Sequence, residues 1–380
     1  MRPAVMLVAH DVGAGGGMER QLAALVTGLL ERGHTVTVLA RSCRLPPHPH
    51  LHWVRVHGPA RPFALAYPWF FVAGSFLVSR HRRGLVHTTG AVVLNRADTS
   101  TVHFCHRAFA RRSRTITRAR RRTAAHRVNS WLGTRLSLLA ESWCYHPRRT
   151  ASIVGVSRGV AAEIELEFPK LDGRVTVISN GVDLREFAED ATARRRVRER
   201  LGLDDADPVA IFVGGEWERK GLRFAIESLA RAPEWRLIVV GEGDAARYAA
   251  VAAAAGVGDR VRFAGAVADV GPFYSAADAF VLPTAYEAFP LVSLEAAAAG
   301  LPLLIPWVSG VEELLVDGVN GWFIERDADV IAGRLVELAA DPGLRSAMAA
   351  AAREAAAGFG WPPVIDGYAQ HYERLAAAKA

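Results

Sequence analysis

Short apolar, β-branched runs alternate with helical patterns from one end of the chain to the other, and that alternation restricts the fold to parallel sheets joined by crossover helices. In the first half the runs are AVMLVAH (4–10), HTVTVLA (34–40), LHWVRVHG (51–58), LVHTTG (85–90), STVHFC (100–105) and SIVGVS (152–157). Between the first two, the spacing predicts a helix from Met18 to Glu31, closed by Gly33. After Pro208 the pattern restarts with AIFVGG, RLIVVGEG, VRFAGAV, AFVLPT and PLLIPW, each followed by a helical stretch. The chain therefore reads as α/β, with two doubly wound, Rossmann-like domains, and its 380 residues favour two domains over one. The segment VISNGVDLREF (177–187), with its Asn-Gly turn, reads as the join. That divides the chain into an N-terminal domain over 1–180, a C-terminal domain over 181–360 and a terminal segment, 361–380. Within that segment a last helix from about Val364 to Lys379 follows Trp361-Pro362-Pro363 and is expected to pack back on the first domain.

Hydrophobic residues make up 51% and charged residues 22%, so a disordered or fibrous chain is excluded. Cys43, Cys105 and Cys144 stand far apart with no CxxC pair, which spells neither a disulfide framework nor a zinc site and points to a reducing cytoplasm. The opening MRPAVMLVAHD has too short an apolar run for a secretory signal. Charge is segregated. Residues 1–150 hold 23 arginines and five acidic residues, a balance of +18, whereas the remainder holds 23 basic and 34 acidic residues. A basic half favours anionic partners.

Two features of that basic half bear on a membrane. Residues 63–79 are 17 without a charge, bounded by Arg61 and by Arg80, Arg82 and Arg83, and they contain Pro68 and Gly74. The stretch is at the lower limit for a spanning helix and reads as a buried or interfacial one. From Arg107 to Arg127 the chain carries nine arginines and no acid. A solvated helix face, a nucleic-acid patch and an anionic lipid surface compete for this run. The first lacks i,i+4 acidic partners and the second lacks an aromatic platform, so a membrane-facing or phosphate-facing acceptor surface is preferred.

The chemistry concentrates in a few loops. HDVGAGGGMER follows the first strand, and its glycines let backbone N–H groups approach a phosphate or sugar, although Met18 stands where GxGxxG requires a third glycine. In FVGGEWERKG, Arg219 and Lys220 fall at the carboxyl edge of a parallel sheet, where paired cations suit a diphosphate. AFVLPTAYEAFPLVSLEAAAAG carries Glu287 and Glu295 eight apart, with Pro290 at the expected first helical position and Gly300 closing the helix. Glu287 then lies in the loop and Glu295 on the helix, whose free N–H groups at Leu291 and Val292 make an anion site.

Taken in order, GGGMER, TVHF, VGVS, ISNGVD, FVGG with RKG, VGEGD, FAGAV, ADAFVLPT, EAFPLVSLE, AGLPLLIP and GVEELLVDGVNG resemble a retaining glycosyltransferase of family 4, with the GT-B fold of two domains facing across a cleft. The likeness extends to lipopolysaccharide and other cell-envelope glycosyltransferases, with one departure: Gly215 stands where many members carry arginine after the strand glycine. The resemblance implies a cytoplasmic enzyme, peripheral on the inner membrane face, that takes a nucleotide sugar, expected to be a UDP-sugar, in its C-terminal domain. Its acceptor would be a glycan, a glycolipid or a small molecule. No nucleic acid and no cofactor are expected. By the same resemblance Arg219 and Lys220 hold the diphosphate, Glu295 the ribose, and Glu287 the transferred sugar with help from Phe289, Pro290, Leu291 and Val292. Gly16 and Gly17 face the phosphates, and His103 stands beside the sugar and the attacking hydroxyl, with His106 as runner-up. Retention by front-face displacement needs no carboxylate nucleophile. A soluble natural-product acceptor, or a relative that only binds or isomerises nucleotide sugars, is the alternative.

Metal is not expected. Asp205-x-Asp207 and Asp327-x-Asp329 match DxD in spelling but fall in loops remote from these motifs and read as turn and cap chemistry. His48, His50 and His52 belong to a proline-rich loop entering a strand.

Overall fold

The structure is a computed structural model that describes residues 2–13, 16–116 and 124–379; the side chains from 112 to 128, and with them most of the expected arginine surface, lie outside the described residues, as does that of residue 130. The chain divides into two units, one comprising residues 1–181 with 361–380 and the other residues 182–360.

In the first unit seven strands form one parallel sheet: β1 (Val5–Val8), β2 (Val36–Ala40), β3 (Leu51–Arg55), β4 (Leu85–Thr89), β5 (Ala97–Val102), β6 (Thr150–Gly155) and β7 (Val175–Val177). Their order is β3-β2-β1-β4-β5-β6-β7. The central β1 is buried on both faces, as crossover helices require, and its side chains divide by the two-residue period. Val5 and Leu7 join a core with Leu22, Val26 and Leu29 of the Gly17–Glu31 helix, whereas Met6 and Val8 join one with Phe70 and Val78 of the Phe63–His81 helix.

The Trp361–Ala377 helix belongs to this unit and adds Ile365, Tyr368 and Tyr372 to the first core. Its inward polar groups meet the sheet: His87 shares hydrogen bonds with Tyr372 Oη at 2.6 Å and Thr101 Oγ1 at 2.7 Å, and Thr99 Oγ1 meets His371 Nε2 at 3.0 Å. The helix starts at Trp361, earlier than its sequence predicts, because Pro362 and Pro363 fall in the first turn, where no intrahelical N–H bond is lost. The expected strand 100–105 instead spans Ala97–Val102. Polar Asp98 is accommodated in it by the Val86 N–H, which donates at 2.8 Å, and by Lys379 Nζ at 2.6 Å.

The second unit has a six-stranded parallel sheet: β8 (Val209–Val213), β9 (Arg236–Val240), β10 (Val261–Gly265), β11 (Ala279–Val281), β12 (Leu303–Ile305) and β13 (Gly321–Phe323). The order is β10-β9-β8-β11-β12-β13, so each sheet runs outward from its first strand in both directions. In each unit the order reverses at one point, between β1 and β4 and between β8 and β11, and loops leaving the carboxyl ends of such strands are where open α/β sheets place a ligand. Asp278, at the entrance to β11, accepts from Arg194 at 2.9 Å, Arg198 at 2.8 Å and the Val209 N–H at 2.8 Å, which ties the Ala191–Leu201 helix to the sheet.

Candidate active site

At the reversal point of the second sheet lie the loops after β8 and β11. After Val213 the chain passes through Gly214 and Gly215 into the single turn Trp217–Lys220, then through Gly221 into the Leu222–Ser228 helix. Gly214 has φ +135°, and a Cβ there would lie 2.8 Å from the Lys220 side chain, so glycine opens the path along which the lysine crosses the loop. Glu216 is the one non-glycine residue among those described with positive φ, at +48°, a conformation that costs energy and concentrates at functional loops.

That strained turn delivers two cations to one carboxylate. Arg219 Nη1 donates to Glu287 Oε1 at 2.9 Å and to the Tyr286 carbonyl, while Nε and Nη2 donate to Glu216 Oε2 at 3.0 and 2.9 Å. Lys220 Nζ lies 3.4 Å from the same Glu287 oxygen, to which the Thr284 hydroxyl donates at 3.2 Å. Burial opposes the charge on Arg219, but Glu287 and Glu216 outweigh it and hold the guanidinium above its ordinary range. These contacts fix the position of the arginine beside Glu287. Lys220 makes a single ion pair, and an ammonium has three donors, so it can take another anion without surrendering Glu287. Arg326 braces the turn by donating to the Pro283 carbonyl at 2.9 Å.

The loop continues through Phe289 into the Leu291–Ala298 helix. Pro290 is the extended residue before the first helical one rather than its first turn, and its carbonyl accepts from the Ser293 hydroxyl at 2.6 Å. The leading N–H groups of Leu291 and Val292 have no carbonyl ahead of them within the helix. Phe289 is buried, and the Gly310 backbone closes against its ring. Glu295 sits one turn in, with Oε2 accepting from the Tyr274 hydroxyl at 2.9 Å. The expected residues Arg219, Lys220 and Glu287 are therefore in direct contact, and Phe289 to Glu295 follow on the same loop and helix. Sequence reasoning missed Glu216, Thr284, Tyr274 and Arg326. Thr284 was visible as a hydroxyl three residues before Glu287, whereas Tyr274 and Arg326 reach the site only through the fold.

In the first unit Gly16 caps the Gly17–Glu31 helix in extended conformation, and a Cβ there would lie 2.5 Å from Glu19 Oε2. His103 follows the end of β5, half-buried, with its Nε2 buried and without a hydrogen-bond partner among the described residues. It faces a cavity of about 10 Å³, lined also by Gln21, Thr101, Asn180 and Tyr368. Burial pushes the His103 imidazole down to about 4, so it is neutral near pH 7, and burial does the same to His106. The His106 and Arg107 N–H groups are capped by Glu141, donating at 2.7 and 3.0 Å.

The aspartate pairs do local work. Asp327 caps the Ala328–Ala340 helix through the Asp329 and Val330 N–H groups, and Asp329 pairs with Arg231. Asp207 accepts from the Asp204 N–H and pairs with Arg236 at 3.4 Å. His48 and His50 turn on one another, the His50 N–H donating to His48 Nδ1 at 3.2 Å.

Residues 193–355 match the family described as "Glycosyl transferases group 1", and residues 15–186 match "Glycosyltransferase Family 4". A D-inositol 3-phosphate glycosyltransferase of Xylanimonas cellulosilytica is 32% identical, over 96% of this chain and 94% of its own. Among solved structures, WaaG, a glycosyltransferase involved in lipopolysaccharide biosynthesis, superposes with a TM-score of 0.79 at 21% identity, covering 97% of this chain and 99% of its own. Anabaena HepE in complex with UDP and glucose superposes with a TM-score of 0.73 at 17% identity, covering 98% and 99%.

Proposed function

The chain belongs to glycosyltransferase family 4 and has the GT-B fold, and from that premise we propose that it moves a hexose from a UDP-sugar to a hydroxyl of a cell-envelope glycolipid or glycan precursor, with retention and without a metal ion. The observation that supports this most is the meeting of Arg219, Lys220 and Glu287 in front of a helix N-terminus at the point where the second sheet reverses direction. A diphosphate carries the charge those cations and N–H groups suit, and as the sugar leaves, the bridging phosphate oxygen gains negative charge where Lys220 stands ready. Glu287, held by Arg219 and Thr284, presents its carboxylate to hydroxyls of the transferred sugar, and Glu295 to those of the ribose.

On this reading the departing phosphate oxygen accepts the proton of the incoming hydroxyl on the same face. Neutral His103 contributes a hydrogen bond through its free ring nitrogen rather than a charge. The inositol phosphate and lipopolysaccharide roles named for the relatives support a phosphorylated or membrane-borne acceptor, and with it a cytoplasmic enzyme peripheral on the inner face of the membrane. Incubation with a panel of nucleotide sugars, following UDP release and the anomeric coupling of the product by NMR, tests the proposal. Retention with a UDP-hexose is expected. Absence of both a thermal shift and nucleotide release with every donor would refute it, since a ligand at about 100 times its Kd raises stability by about 2.7 kcal/mol.

A further inference from the structure

We propose that the outward face of the Phe63–His81 helix docks the protein on an anionic lipid surface. The helix carries no charge from Phe63 to Ser79. Ala66, Phe70, Gly74 and Val78 bury one side of it in the first unit. On the opposite side Leu65, Trp69, Val72 and Phe76, spaced i, i+4, i+7, i+11, form one stripe with exposures of 64, 53, 64 and 68%. Its buried side packs on the sheet, with Phe70 and Val78 against Met6 and Val8, which leaves only the outer face for lipid. An apolar stripe opposite that core is the geometry of a helix lying in the headgroup region.

Neighbouring groups extend the face and give it a sign. The Ala124–Cys144 helix packs alongside, where the Ala64 N–H donates to Asn129 at 3.2 Å, and it exposes Leu132, Leu139 and Trp143 at i, i+7, i+11. Arg149 stacks on the Trp143 ring at 4.1 Å and Arg135 on Trp131 at 5.2 Å, pairing cations with indoles as interfacial belts do. Exposed Arg61 precedes the charge-free helix, and Arg80 and Arg83 end it. From residue 32 to 97, and again from 99 to 140, the chain contains no Asp or Glu.

A stripe of leucine, valine, tryptophan and phenylalanine set in stretches of sequence that carry arginine and no acid selects its occupant. A second copy of the chain would set arginine against arginine. A nucleic acid would satisfy the arginines but leave the aliphatic stripe unused. An anionic bilayer satisfies both, the acyl boundary taking the stripe and the headgroups the guanidiniums. Docking depends on the transferase reading only for its purpose, which is access to a membrane-borne acceptor.

The full chain is floated with vesicles of phosphatidylcholine alone and of phosphatidylcholine with phosphatidylglycerol in equal parts. Stronger binding to the anionic vesicles is expected. It should weaken as salt rises from about 0.1 to about 1 M and the Debye length shrinks from about 10 to about 3 Å. The combined variant Leu65→Gln, Val72→Gln, Phe76→Gln should bind at least about tenfold more weakly, because the interfacial partition scales with buried apolar area. The pair Arg80→Gln, Arg83→Gln should remove part of the preference for anionic lipid and leave binding to neutral vesicles unchanged. An unchanged thermal melt and donor hydrolysis show that these variants fold. No anionic preference, or full binding by the triple variant, would overturn the proposal, as would a concentration-dependent dimer that the triple variant abolishes. Lipid binding without donor turnover would instead strike the transferase reading, so the two fail separately.

Discussion

Replacing Lys220 with alanine tests the proposed chemistry most directly, because the structure separates what the residue does for the fold from what it would do for a leaving group. Its ammonium lies 3.4 Å from Glu287, with both side chains 12% exposed. At that spacing two unit charges interact by about 5 kcal/mol at an effective dielectric of about 20. A phosphate oxygen taking up charge at similar range would experience a comparable field, but the diphosphate is already anionic when bound, so only part of it favours the transition state. Taking roughly half, the variant should lose about 2 to 3 kcal/mol, or about 10² in kcat. The fold should tolerate the change, since Glu287 keeps Arg219 at 2.9 Å and Thr284 at 3.2 Å. The assay is UDP release under saturating donor, paired with a thermal melt. Near-normal kcat with an intact melt would refute the assignment of Lys220, whereas equal loss in both would show it to be structural.

If Arg219, Lys220 and the helix N-terminus neutralise the leaving group as proposed, activity should survive EDTA; loss on chelation with recovery by Mg²⁺ or Mn²⁺ would refute that and point to Asp205 and Asp207. Gly214→Ala should lower stability by about 1 to 3 kcal/mol and turnover with it, since φ +135° disfavours a side chain and the new Cβ meets Lys220; a melt and rate matching the parent would refute that role for the glycine. Acid should destabilise the first unit selectively. All 13 histidines lie outside residues 182–360, and burial holds His87 at about 3 and His10, His103, His106 and His371 at about 4, below their ordinary 6.5. The unfolded chain therefore binds more protons, so their contribution is complete above pH about 6.5 and is lost as pH falls toward 4, at up to about 1.4 kcal/mol per pH unit for each. Hydrogen exchange resolved by unit between pH 7 and 4.5 should show the first opening before the second, and simultaneous opening would contradict it.

Much of this architecture is written locally and some of it is not. Each βα repeat carries its own apolar run and its own turn residues, so the two sheets and the placing of Glu287 in a loop and Glu295 on a helix could be read in sequence order. The start of strand β5 could not, because Arg96, Ala97 and Asp98 look like a turn until Lys379 arrives from the far end of the chain to pair with Asp98. The last helix posed the same problem. The helix and its return to the first domain could be read, but not its start at Trp361 ahead of two prolines, and only His87, Thr99 and Thr101 waiting on the sheet explain why Tyr368, His371 and Tyr372 turn inward. Tyr274 illustrates the limit within the site, for nothing within 20 residues of it in sequence announces that its hydroxyl holds Glu295.

Charge is distributed so that the two proposed ligands are held by different physics. Residues 182–360 carry 18 basic and 28 acidic residues, so at long range this unit repels the anionic donor it is proposed to bind. Attraction has to come from contact, through Lys220, Arg219 and the N–H groups of a helix end, inside a distance that salt barely screens. Glu287 and Glu216 together balance the two cations in the free protein, and on the proposed reading Lys220 adds a donor phosphate to its contact with Glu287. The first unit works the other way. Its sequence runs for long stretches with arginine and no acid, and exposed Arg61, Arg80 and Arg83 set a field that extends outward for about a Debye length and suits a broad, diffuse anion such as a lipid headgroup layer. A donor gripped by contact and an acceptor surface met through a field can be engaged independently, and a transferase that must stay at a membrane through many donor cycles requires that independence.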